Sequence, residues 1–366
     1  MNRRRLTVVQ LLPALHSGGV ERSTLEIGRA LVAAGHRSIV VSAGGRLVER
    51  LRAEGSEHVE LDIGGKSLRT LFRLPALRAL LRGLRPDVVH ARSRLPAWLA
   101  RFALPSGAHF VTSVHGLNSP GRYSAILTRG ERVICVSETV RRHVLQQWPH
   151  TDPARLCVIS RGIDSAEFPR GFEPGEAWRS QWATEHPLLA GGRLLLLPGR
   201  GTRLKGHADA LRLLADLRAS GIDARLWLLG ADEPGRERYL DELRALARQL
   251  QVSPFLVIDP PRADVRAAYA ISDLVLQLSR KPEAFGRTVL EALAVGRPVL
   301  GWAHGGVGEL LSTHYPQGAV ALGDTAGLLA SARRLLSDAP APPALGDGLA
   351  AMQSATLALY ESLLDA

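Results

Sequence analysis

Cysteine is nearly missing: Cys135 and Cys157 are the only two in 366 residues. That excludes a disulfide framework, and both sit in apolar runs suited to buried, reduced thiols. Lysine is confined to Lys66, Lys205 and Lys281, against 43 arginines, and aromatic residues make up only 5% of the chain. No apolar run approaches the roughly 18 residues that a membrane-spanning helix needs. The start, MNRRRLTVVQLLPALHSGG, is basic and then apolar like a secretion signal. Gln10 and Pro13 interrupt it, however, and no small-x-small cleavage pattern follows His16. A first strand entering a glycine turn accounts for the same residues, so a cytoplasmic location is expected. Absent motifs narrow the chemistry further. Without HExxH or a CxxC pair a zinc site has little support, and GxSxG, GxGxxG and GxxxxGKS/T are all missing.

What is present is ordinary in bulk: 46% hydrophobic and 22% charged residues, the balance of a globular protein. At roughly 150 residues per domain the length suggests two domains. The charge is not evenly spread. Residues 1–168 hold 25 basic and 13 acidic residues, net +12, whereas 169–366 hold 21 and 22, net −1. A codon bias towards arginine would spread the excess along the chain, so the field belongs to one half, as expected where that half meets an anionic partner. The segment Lys66–Pro86 concentrates it. Leucines at helical spacing alternate there with Arg69, Arg73, Arg78, Arg82 and Arg85. Such a helix packs its leucines on its own sheet and leaves arginines that favour an anionic lipid surface.

Strand, glycine turn and helix recur along the chain, the mark of parallel α/β architecture. Strands are expected at 6–12, 37–42, 58–61, 87–91, 110–114, 132–136 and 156–160. A second series is expected at 193–197, 224–229, 255–258, 274–278 and 298–302. Between the series, 169–192 holds Pro169, Pro174, Gly175 and Pro187 and reads as a connection between domains. The expected layout is 1–168 as first domain, 193–348 as second, and 349–366 as a final helix.

Ser279–Gly301, SRKPEAFGRTVLEALAVGRPVLG, carries the most chemistry. On one continuous helix Glu283 and Glu291 would stand roughly 12 Å and about 80° apart. A split arrangement fits better: Glu283 in a loop, Phe285–Gly286 as the turn, and a helix bearing Glu291. First-turn amides near Gly286, Arg287 and Thr288, helped by the helix dipole, would face an anion flanked by the two carboxylates. A diphosphate with a sugar at each end has that layout.

This segment resembles the paired-glutamate motif of the retaining glycosyltransferases of family four. GGVER at Gly18–Arg22, VHG at Val114–Gly116, VSE at Val136–Glu138 and RGID at Arg161–Asp164 follow that family's order. PGRGTRLKG at Pro198–Gly206 and HGGVGEL at His304–Leu310 complete it. Together with HARSR at His90–Arg94, the set is most similar to bacterial enzymes of lipopolysaccharide-core assembly. The resemblance implies the GT-B fold: two facing Rossmann-like domains with parallel sheets and a deep interdomain cleft, the last helix packing back on the first domain. It implies transfer of a sugar from a nucleotide diphosphate, expected to be UDP-linked, with retention. Neither cofactor nor metal is expected, and the absence of any DxD triplet agrees.

By the same resemblance Arg200 and Lys205 hold the donor diphosphate, Glu291 the ribose and Glu283 the transferred sugar. Ala284, Phe285, Gly286, Arg287 and Thr288 line the donor. Gly18 and Gly19 let the backbone approach it, and His115 contacts the sugar near the reacting centre. Arg92, Arg94 and Arg122 are candidates for phosphates of an anionic glycan or lipid-linked acceptor at the inner face of the inner membrane. Asp259-Pro260-Pro261-Arg262 stands where the family has a glycine. Proline donates no amide, so Arg262 is the candidate for the base. A nucleotide-sugar epimerase shares the implied fold. A nucleic-acid binder would explain the arginines, but no RNA-binding motif or aromatic stacking series supports it.

Overall fold

The computed structural model describes residues 4–16, 18–65 and 68–364. Lys66, at the head of the basic segment, lies outside the described residues, as do the side chains of Leu68, Arg69 and Leu71. The chain forms two compact units: Met1–Gly162 with Gly348–Ala366, and Ile163–Asp347.

The first unit is built on strands β1 (Thr7–Leu11), β2 (Arg37–Ser42), β3 (Glu57–Glu60), β4 (Val88–Ala91), β5 (His109–Val114), β6 (Arg132–Cys135) and β7 (Leu156–Val158). They pair in parallel in the order β3-β2-β1-β4-β5-β6-β7. The second unit holds β8 (Arg193–Pro198), β9 (Ala224–Leu229), β10 (Leu256–Asp259), β11 (Leu274–Gln277), β12 (Val299–Trp302) and β13 (Ala319–Val320). Its order is β10-β9-β8-β11-β12-β13, again parallel. The central strands carry unbroken apolar runs, such as Leu194–Leu197, because helices cover both faces and each side chain is buried whichever way it points. The expected pair of Rossmann-like parallel sheets is therefore present. Only β13, two residues long, had no period to betray it.

Each sheet reverses its winding once, between β1 and β4 in the first unit and between β8 and β11 in the second. At such a reversal the loops leaving neighbouring strands diverge and open a crevice at the carboxyl ends. The glycine turn after β1 and the two loops after β8 and β11 lie at these points.

The structure corrects the domain limits. Ile163 and Phe168 belong to the second unit's core, and so does the segment expected to be a connection. The helix Glu176–Glu185 lays Trp182 against Trp227 of β9, ring centroids 5.6 Å apart, with Trp178 stacked beside it. Aromatic packing, invisible to a count of prolines and glycines, makes 169–192 part of a domain. At the other end the helix Gly348–Ser362 belongs to the first unit. Met352 and Tyr360 are buried with Leu6, Val8 and Ile27, and Tyr360 Oη lies 2.6 Å from His90 Nδ1. With these limits the charge contrast is unchanged, net +12 against −1.

In the basic segment the helix runs Leu74–Leu84, with Pro75 in its first turn, where its missing amide costs nothing. Leu77 and Leu81 face inward, while Arg78 and Arg82 are exposed. Among the described residues no helix is long and apolar enough to cross a membrane.

Candidate functional site

In the second unit the loops after β8 and β11 meet. Gly206, at φ +76°, closes the first onto the second. A Cβ there would lie 1.9 Å from the Leu278 carbonyl oxygen, so only glycine allows the approach. This brings Lys205 to Glu283, with Nζ donating to Oε1 over 2.6 Å. Ser279, 4% exposed, places its hydroxyl on the same carboxylate oxygen. His304 Nε2 donates to the Ser279 carbonyl oxygen over 2.6 Å. The next two glycines exist for this contact. Cβ atoms on Gly305 and Gly306 would fall 2.8 Å and 2.4 Å from the carbonyl oxygens of Glu283 and Phe285, and the Gly306 amide donates to Glu283 O.

The turn at Gly286 has φ +152° and caps the helix Arg287–Val295. The expected loop, turn and helix between the two glutamates are all there. Amides in the first turn of a helix have no intrahelical acceptor and so can face an anion. Glu291 is buried, with Tyr269 Oη donating to Oε2 over 2.9 Å and Arg287 Nε to Oε1 over 2.8 Å. Each oxygen retains a second lone pair for a ligand hydroxyl. Ala284, Phe285 and Thr288 complete this segment, and Arg200 stands exposed on the loop after β8.

Arg262 is placed differently from expectation. Its Nε and Nη2 lie on the two oxygens of Asp264, both at 2.9 Å, and Nη1 lies 3.2 Å from Glu185. Those hydrogen bonds hold the Asp264 carboxyl down at about 2, and Trp178 Nε1 donates to it as well. Arg262 clasps the helix Glu176–Glu185 to the end of β10, so its guanidinium is committed rather than open to a base.

In the first unit His115 follows β5. Arg161 Nη2 lies 2.8 Å from its Nδ1. Burial, then the charges of Arg161, Arg92 and His90, push the imidazole well below its ordinary value. Gly19 opens the helix Gly19–Ala33, and a Cβ on it would lie 2.5 Å from Arg161 Nη1. A Cβ on Gly18 would meet the Glu21 carboxylate instead. Arg92, a candidate for an acceptor phosphate, is buried. It is 4% exposed, with Nη1 donating to Gln10 Oε1 over 2.5 Å and Nη2 to Ser23 Oγ over 2.6 Å. Strand β4 delivers it inward, beside a cavity of about 20 Å³ that His90, His115 and Arg161 also line. Arg94 and Arg122 do reach the surface. Arg94 sits over the Tyr123 ring at 5.2 Å, and Arg122 is exposed beside it.

Three participants were not foreseen as such. Arg161 had been visible only as part of RGID, Ser279 only as the start of a segment, and Tyr269 carried no motif. Ser279, four residues before Glu283, is the one a local reading could have found. Among the described residues no three His, Cys, Asp or Glu side chains gather as a metal site.

Comparison with known proteins identifies the family. Residues 17–167 match Glycosyltransferase Family 4, and residues 179–347 match Glycosyl transferases group 1. Spore coat protein SA of Bacillus subtilis is 26% identical over 309 residues, 80% of this chain and 78% of that protein. A glycosyltransferase structure from Rickettsia africae superposes with a TM-score of 0.83 at 25% identity, covering 99% of each chain. The fold is shared with Anabaena HepE in complex with UDP-glucose, at a TM-score of 0.75 and 18% identity over 99% of this chain and 98% of that one. The chain thus belongs to the GT-B glycosyltransferases that join a family 4 domain to a group 1 domain.

Proposed function

We propose that this glycosyltransferase is retaining and metal-independent, and moves a sugar from a UDP-linked donor to an anionic glycan or lipid-linked acceptor. The observation that carries the reading is the Lys205–Glu283–Ser279 cluster at the switch point between β8 and β11. There a cation and a carboxylate meet on the loop that leads into the helix Arg287–Val295. Lys205 and the exposed Arg200 stabilise the departing diphosphate, the charge a metal would otherwise neutralise. Glu283 accepts hydrogen bonds from the transferred sugar, and Glu291 from the ribose. The bond from the anomeric carbon to the phosphate oxygen breaks, and a bond to the acceptor oxygen forms on the same face. The acceptor's hydroxyl proton passes to the departing phosphate, so no separate base is needed. His115 contacts the sugar.

The acceptor lies on the basic first unit. The exposed Arg122, with Arg94 over Tyr123, offers phosphates their charge. The acceptor is a phosphorylated lipopolysaccharide-core glycolipid at the cytoplasmic face of the inner membrane. Peripheral attachment is supported by Phe72 and Phe102, 81% and 57% exposed, near the exposed Arg78 and Arg82. Arg78 donates to the Phe102 carbonyl oxygen, which joins the two helices of this face.

Thermal-shift screening of UDP-, GDP- and ADP-sugars tests the donor, since a ligand bound only to the native state raises its stability. Stabilisation by UDP-sugars, followed by sugar transfer with retained anomeric configuration to phosphorylated core glycolipid, is expected. Epimerisation of free UDP-sugar with no acceptor, or turnover only on adding a divalent cation, would overturn the reading.

A further inference from the structure

A guanidinium stays protonated in proteins and has no acceptor atom. The 2.8 Å contact between Arg161 Nη2 and His115 Nδ1 therefore has one polarity. Arg161 donates, Nδ1 accepts through its lone pair, and the single proton of the neutral ring sits on Nε2. The groups that act on the ring from the elements around it are Arg161, beyond β7, and His90 and Arg92, at the end of β4. All are cationic or become so with acid, and together with burial they keep the imidazole neutral. His115 Nε2 is itself buried and has no hydrogen-bond partner among the described residues. An unmade bond of this kind is costly unless something outside the protein completes it.

The seat of Arg161 is as specific as its contact. A Cβ on Gly19 would stand 2.5 Å from Nη1, so the guanidinium occupies the space left by the missing side chain at the start of the first helix. Gly19 thus serves the arginine, whatever else it does for a ligand.

We propose that Arg161 is a positioning residue: seated across Gly19, it fixes His115 as the Nε2–H tautomer, so that the ring offers one N–H donor to an oxygen of the transferring sugar or its phosphate. Only the identity of that oxygen rests on the proposed function; the tautomer does not. Oriented this way, the ring can favour an oxygen that gains negative charge in the transition state, and it cannot remove a proton through Nδ1.

Nitrogen-15 spectra of the histidine rings in the full chain test this, with the His115 signals assigned by their loss in His115→Gln. The parent should show a bare, pyridine-type Nδ1 and a protonated Nε2, unchanged between about pH 8 and pH 5, where an ordinary histidine titrates. In Arg161→Met the signals should move to a mixture of tautomers and titrate inside that window. Gly19→Ala should shift them in the same direction without touching the arginine, and Arg161→Lys should recover part of the parental pattern. Circular dichroism identifies any variant that fails to fold, and the remaining two then decide.

With UDP-glucose as probe, kcat for UDP release should fall on the order of 10- to 100-fold in Arg161→Met, with KM within about threefold, as for a misplaced contact. A parental proton on Nδ1, or an Arg161→Met spectrum or kcat identical to the parent's, would overturn the proposal. A parent that ignores UDP-glucose and every other nucleotide sugar would count against the proposed function. The ring spectra would still decide the role of Arg161.

Discussion

The two units share a fold but solve opposite electrostatic problems. The second has a net charge of −1 and carries Lys205 already paired with Glu283. The first has a net charge of +12, and the charged or titratable groups that act on His115 are two arginines and a histidine. The two partners of the pair are each about one quarter exposed, so under the proposed function a diphosphate would meet a lysine that must exchange or share one anion for another. The first unit instead buries one of its cations, Arg92, on the neutral partners Gln10 and Ser23. A sheet reversal thus supplies a crevice in each unit, and the side chains at the strand ends decide what the crevice does.

The largest expected effect breaks the second unit's pair. Lys205→Ala and Glu283→Gln should each lower kcat/KM for sugar transfer by about 100- to 1,000-fold, as when one preorganised donor is lost. The pair is partly solvated, so the thermal midpoint should change little. Near-normal transfer in both would remove this cluster from the mechanism. Acid should separate the units next. His90 and His115 in the first unit, and His207 in the second at about 4, have lowered values, with burial the main cause. Below about pH 6.5 the unfolded chain binds protons that the folded chain refuses, so stability falls as pH drops through that window. The loss is at most about 1.4 kcal/mol per pH unit for each such group. Between about pH 6.5 and 5.5, above the ordinary carboxylate range, the first unit holds two strongly shifted histidines against the second's one. Hydrogen exchange should show the first unit loosening earlier, and equal loss in both units would contradict this account.

The charge contrast itself can be broken. Replacing Arg78 and Arg82 together by glutamate should weaken binding to anionic vesicles at least about tenfold, since each arginine near the surface contributes about 1 kcal/mol. Arg248 and Arg333, exposed on the second unit, make the matched control, and their reversal should leave binding intact. If both pairs act alike, net charge alone matters and the aromatic-flanked face has no special part.

What could be read from the chain differed between the units for a physical reason. Strand and turn signals are local, so nearly every strand and the loop around Glu283 were legible, and Lys205 with its glycines was singled out through the resemblance of PGRGTRLKG to the family's motif. Arg161 and His115, 46 residues apart, meet only because of the order in which strands pair. Arg92 was a candidate for an acceptor phosphate, and nothing nearby in sequence signals the glutamine 82 residues away that accepts from it. Arg262, named as the base candidate because Pro260 and Pro261 stand where the family has a glycine, is instead paired with carboxylates. Its carboxylate partners are two residues away in Asp264 and 77 away in Glu185.

The smallest expected effect asks whether the first unit's polar interior is a connected whole. Tyr360, on the last helix, lies 2.6 Å from His90 Nδ1, and His90 Nε2 lies 2.5 Å from Ser113 Oγ, two residues before His115 on β5. Tyr360→Phe removes one oxygen and keeps the ring that packs against Leu6 and Ile27, so the helix should stay in place. One buried hydrogen bond is worth about 0.5–1.5 kcal/mol, and chemical denaturation should show a loss of that size. His90, relieved of a partner, is then free to turn, and the ring signals of His115 report whether it does. A stability loss without any change at His115 would mean that the last helix merely covers the sheet. A loss accompanied by movement of the His115 signals would mean that the helix closing the first unit also steadies His115.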